Sequence, residues 1–153
     1  MIVRRRTDWE NQLNAEIIAW RGREYAHAAG RDCASFAAAC VRAVTGINPL
    51  PPELRRYSTA AGQARALAQA GWADLVAAGD ACLGDRIPPL AAHFGDVVSD
   101  GAALGVMTPA GALAFSEAGM VMMGPETLAA AWVVGRADGV SATVWRRQRK
   151  AAG

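Results

Sequence analysis

The sequence predicts an α+β domain in which N-terminal helices pack on a C-terminal antiparallel sheet. Before Pro88 the apolar residues recur at helical spacing. After Gly95 they fall into short runs parted by Asp100-Gly101, Pro109-Ala110-Gly111 and Ala118-Gly119, which are turn formers. Helices first and a strand meander afterwards is the order of an α+β chain, not of a doubly wound sheet.

Thr7-Asp8-Trp9-Glu10 fits a capping box opening a first helix, and Trp9, Leu13, Ile17 and Trp20 carry its apolar stripe to Arg21. A connecting stretch from Gly22 to Gly30 holds Tyr25 and His27. Asp32 is a good N-cap for the second helix, whose stripe is Cys33, Phe36, Ala37, Cys40, Val41 and Val44, stopped by Gly46. Small residues on that stripe suit close packing on a sheet. Pro49, Pro51 and Pro52 force a loop, Ser58 is expected to cap a third helix running to Ala70, and a short helix from Trp72 to Ala78 follows. Pro88-Pro89 introduces the strands: Asp96–Ser99, Ala103–Thr108, Ala112–Glu117 and Met120–Met123. Pro125 opens a short helix over Glu126–Ala131. Trp132–Gly135 and Val140–Trp145 read as further short strands.

The 153 residues, 52% of them hydrophobic and 20% charged, suffice for one domain with its own core. No internal repeat or domain boundary is visible, so residues 1–153 read as a single domain with short basic ends. Those ends carry Arg4, Arg5, Arg6, Arg146, Arg147, Arg149 and Lys150, and removing these seven from 16 leaves 9 basic against 14 acidic residues. Solvated tails are the plain reading of such ends, a body near −5 argues against nucleic-acid binding, and an acidic protein neighbour is the alternative. No apolar run reaches the roughly 20 residues of a membrane span. The arginines after Met1 precede no apolar segment, so synthesis without secretion is expected. Three cysteines, Cys33, Cys40 and Cys82, make neither a disulfide framework nor, with two histidines, a zinc site. No phosphate loop or nucleotide fingerprint is present, and no cofactor is expected.

The chemistry centres on Cys33. A cysteine at a helix start meets free amides and the helix dipole, which favour a thiolate. Acyl transfer would also need a histidine base. His27, six residues upstream across a loop, and His93, before Gly95-Asp96, are the two histidines in the chain. Cys33 also shares the stripe of Phe36 and Cys40, where a free thiol behaves as a small hydrophobe. Cys40 and Cys82 read as structural. Asp96 is expected to hydrogen-bond the turn that leads into its strand. Met120, Met122 and Met123 read as packing, and Trp132 and Trp145 as core residues or contact anchors.

Gly30-Arg31-Asp32-Cys33-Ala34-Ser35-Phe36, followed by Gly95-Asp96-Val97-Val98, resembles the two landmarks of NlpC-type cell-wall cysteine peptidases, which have a papain-like fold. In that family the aspartate-cysteine pair starts a helix laid on an antiparallel sheet, and the strand after the Gly-Asp strand begins with the catalytic histidine. The matching stretch here is Ala102-Ala103-Leu104-Gly105-Val106, without a histidine. Over nearly its whole length the chain also resembles a small uncharacterised family encoded in tail gene clusters of long-tailed phages and gene transfer agents. Ala131-Trp132-Val133 is a further shared segment, and Arg31 stands where many members have a histidine.

The resemblance implies a nucleophile position at Cys33 on a scaffold that lacks its histidine, so peptidase activity is not expected. It further implies a component of the tail tip of a phage or phage-like particle, made in the bacterial cytoplasm and assembled against hub and other tail-tip proteins. Two alternatives stand beside it. One is an active peptidoglycan endopeptidase or amidase aiding DNA delivery, with His27 or His93 as base; the other is an assembly factor that never enters the particle.

Overall fold

The structure, a computed structural model, describes residues 3–136. Among them are four α-helices followed by a six-stranded antiparallel sheet, which is the α+β architecture expected. The helices are α1 (Trp9–Arg21), α2 (Cys33–Thr45), α3 (Ala60–Gln69) and α4 (Leu75–Leu83). The strands are β1 (Arg86–Ile87), β2 (Val97–Ser99), β3 (Leu104–Thr108), β4 (Gly111–Ser116), β5 (Gly119–Met123) and β6 (Ala130–Trp132). Their order in the sheet is β1-β6-β2-β3-β4-β5. The meander β2 to β5 follows from its tight turns, and β6 then crosses back to pair with the free side of β2, Val98 opposite Ala131.

Where the elements differ from expectation, a local hydrogen bond gives the reason. The Thr7–Glu10 capping box does not form: α1 begins at Trp9, and Asp8, at its N-cap, turns its carboxylate to Gln12 (2.9 Å) and Arg6 (3.5 Å). Thr59, not Ser58, caps α3 by accepting from the Gly62 amide at 3.0 Å. Asp74 caps α4 through the Ala77 amide at 2.8 Å, so this helix starts after Trp72 and runs on to Leu83. Pro125 opens only one 3-10 turn, Pro125–Thr127, because Ala130–Trp132 is drawn into the sheet as β6; Val133 and Val134 are buried beyond the strand's end. The Val140–Trp145 stretch lies outside the described residues.

The main core lies between the helices and one face of the sheet. Phe36, Cys40 and Val44 of α2 are fully buried there with Leu13 of α1 and Phe115 of β4. Trp20 sets its ring edge-on to Phe36 and Phe115, with centroids 5.5 and 5.0 Å away. Trp132 from β6 is also fully buried, and its indole N–H donates to Asp80 of α4 at 3.1 Å. Gly79 makes this approach possible: a Cβ there would sit 2.5 Å from the indole ring. Helix propensity alone would make Gly79→Ala stabilising by about 1 kcal/mol. We expect instead a loss of about 1–3 kcal/mol from overpacking, read in urea denaturation.

Asp96 ties both ends of the described chain to the sheet. It is fully buried, and its carboxylate accepts from the backbone amides of His93 (2.9 Å) and Val134 (3.0 Å) and from the guanidinium groups of Arg5 (3.1 Å) and Arg136 (3.0 Å). The turn leading into β2 is thus closed as expected, but Arg5 is no solvated tail residue. It also donates to the carbonyls of Phe94 (2.7 Å) and Val134 (2.8 Å) and stacks over Trp9 at 4.2 Å.

Candidate functional site

The site is built at the head of α2. Gly30, at φ +66°, ends a short turn of His27–Ala29, and Ala26 and Arg31 bridge as a small antiparallel pair. That turn returns the chain so that His27 faces Asp32. Asp32 is extended at the N-cap, fully buried, and its Oδ1 accepts from the Ser35 amide at 2.8 Å. Its Oδ2 accepts from the Tyr57 hydroxyl and lies 3.0 Å from Nδ1 of His27. Gln63 donates to the Tyr57 oxygen at 2.8 Å, and Nε2 of His27 lies 3.4 Å from the Tyr25 hydroxyl. Asp32 therefore has a second task beyond the cap: it is the centre of a polar network reaching from Tyr25 to Gln63.

Cys33 is half-buried, and the amide of Leu104, the first residue of β3, faces its sulfur. Packing of α2 on the sheet has brought the helix head to the start of β3. Burial pushes the Cys33 thiol up; the Leu104 amide opposes this, and the Asp32 charge adds to it. The helix-start argument for a thiolate is therefore outweighed by desolvation. Among the described residues no hydrogen bond joins Cys33 to an imidazole, since both nitrogens of His27 face oxygen partners. His93 is exposed beside Asp96, at the end of the β2–β3 pair where Gly95 donates to Met107, opposite to Leu104. The structure thus brings His27 close in sequence and space to Cys33 without bonding it, and does not bring His93 there.

Sequence reasoning missed Tyr25, Tyr57 and Gln63, and took Asp32 only as a cap. Burial raises Tyr25 to about 12, with the negative charges of Cys33, Asp32 and Glu117 adding to it. It raises Tyr57 as well, with the Asp32 hydrogen bond second. These phenols stay protonated and serve as donors. Cys40 and Cys82 are buried thiols outside any disulfide, and burial pushes Cys40 well up. Folding raises the Cys33 and Cys40 pKa values above the ordinary 9.0, so the folded protein keeps protons that the unfolded chain releases. Their contribution is complete below that value and is lost as pH rises through the folded pKa. Urea denaturation should therefore show lower stability at about pH 10 than at about pH 7.5; equal stability would contradict the burial of these thiols.

Beside the Asp32 network runs an apolar slot of about 30 Å³ between α2, α3 and α4, with Tyr57 and Gln63 among its lining residues. No group of three or more His, Cys, Asp or Glu side chains that could hold a metal occurs among the described residues. Nor is any helix among them long and apolar enough to cross a membrane.

Fold and site together define an α+β domain with an aspartate-capped cysteine helix laid on an antiparallel sheet. Residues 4–134 match the family described as Domain of unknown function (DUF6950), and the chain belongs to that family. No curated protein and no solved structure matches the chain.

Proposed function

We propose that this protein is a catalytically silent relative of NlpC-type cysteine peptidases, kept as a structural component of the tail tip of a long-tailed phage or phage-like particle. The observation that carries the reading is the state of Cys33: a desolvated thiol held against the Leu104 amide, with no imidazole bonded to it. Acyl transfer needs a base to take the thiol proton and an acid to return one to the leaving amine. His27, the nearest candidate for both, is committed to Asp32 and Tyr25. What supports a tail-tip role is the whole-length resemblance described above, and hub proteins are its expected neighbours.

Purified protein incubated with peptidoglycan stem peptides should give no cleavage by mass spectrometry. Cleavage that disappears in Cys33→Ala would sink the proposal. In purified particles the protein should be found at a fixed ratio to the hub proteins; its absence would assign it to assembly alone. The second reading, an active peptidoglycan endopeptidase or amidase, is favoured by one contact, the His27–Asp32 pair. It requires Nε2 of His27 to leave Tyr25 and reach the sulfur. Tyr25→Phe, which removes that competing hydroxyl, should then create or raise cleavage; under the leading reading it creates none.

A further inference from the structure

A groove of about 630 Å³ runs along the face of α2 turned away from the sheet, between α1 and the loop that follows α2. Its floor includes the small residues Ala39 and Ala43, and Arg6, Arg42 and Arg55 line its walls. The three arginines come from separate elements. Arg42 lies in the last turn of α2, the Arg6 amide donates to Val44 at 2.8 Å, and Arg55 donates to the Leu50 carbonyl. All three are exposed. Among the described residues Glu16 is the one acidic residue lining the groove, and its carboxylate accepts from the Trp20 indole at 3.0 Å, while Arg6 lies 3.5 Å from the Asp8 carboxylate at the rim.

This concentration runs against the composition. Of the 16 basic residues, Arg146, Arg147, Arg149 and Lys150 lie beyond residue 136, and of the 14 acidic ones only Asp138 does, so the described domain carries 12 against 13. A domain without net positive charge has nonetheless collected three guanidinium groups around one concave surface. Such groups pair with carboxylates in planar, two-pronged contacts. From Ser35 to Gly46 the helix runs about 16 Å, the length of about five residues of extended chain.

We infer that this groove binds an extended acidic peptide segment of a partner protein, its carboxylates placed against the arginines and its small side chains over the alanine floor. A nucleic acid fits less well, because phosphate recognition favours a basic face that continues along the strand, whereas these three cations belong to a domain with 12 basic against 13 acidic residues. The inference does not rest on the state of Cys33.

The test uses the full chain and a fluorescein-labelled peptide alternating glutamate and alanine, followed by fluorescence anisotropy. Saturable binding that weakens with added salt is expected, together with at least about a tenfold loss in Arg42→Glu. Arg55→Glu should lose affinity in the same direction. Arg65→Glu, an exposed substitution on α3 outside the groove, should leave binding unchanged, and the thermal melt of each variant establishes that it is folded. Absence of saturable binding, or binding insensitive to Arg42→Glu, would overturn the inference. So would a labelled oligothymidylate that binds as tightly as the peptide and depends equally on Arg42, which would assign the groove to phosphates.

Discussion

Asp96→Ala should destabilise the domain by about 3–5 kcal/mol, the range for removing one partner from a buried charge network. The carboxylate is fully buried and serves two guanidinium groups and two backbone amides. Its removal takes a buried ionic partner from both Arg5 and Arg136, and leaves the Val134 amide without its acceptor. Arg5→Ala should cost less, because it removes a charge and its desolvation penalty together, although the Trp9 stacking is lost as well. Chemical denaturation of both variants checks the ranking. If Asp96→Ala were within about 1 kcal/mol of the parent protein, the network would not be what fastens the chain ends to the sheet.

Asp32→Ala should cost about 2–4 kcal/mol. Loss of the N-cap accounts for about 1 kcal/mol, and each buried donor left without an acceptor, Tyr57 first among them, adds about 1–3 kcal/mol. Hydrogen exchange at the Ser35 amide, which Asp32 Oδ1 protects, should accelerate. The same variant separates structure from catalysis at Cys33. The Asp32 charge raises the Cys33 pKa, so its removal should make the thiol more reactive to iodoacetamide at neutral pH. Were Asp32 orienting a catalytic histidine toward the sulfur, its removal would instead slow the thiol's reaction.

Much of the fold was legible because its signals are local. The α2 stripe, the Asp32 cap and Gly46 at φ +83° lie within one stretch of chain, and the structure reproduces them. The meander from Val97 to Met123 was legible for the same reason, its turn residues falling between short apolar runs. What was not legible depends on distant partners. β6 forms at Ala130–Trp132 because β1 and β2 offer edges to it, and nothing within Leu128–Gly135 distinguishes that register from the one expected. Arg5 reads as one more cation of a basic run until Asp96, 91 residues away, is placed beside it. At the site, Cys33 and Asp32 stood out as a capped cysteine helix. Tyr57 did not: it lies 25 residues downstream of Asp32, in a loop whose path is set by packing of α3. The Thr7 box failed for a subtler reason, since Asp8 competes for the same helix end and wins contacts with Gln12 and Arg6.

The central claim is that Cys33 is a half-buried, desolvated thiol without an imidazole partner, and the pH profile of its alkylation tests this most directly. The rate of iodoacetamide modification at Cys33, followed by mass spectrometry, should stay low through neutral pH and rise in a single step above the ordinary thiol value of 9.0. A plateau of reactivity reaching down to about pH 5, the mark of a thiolate paired with an imidazolium, would contradict it.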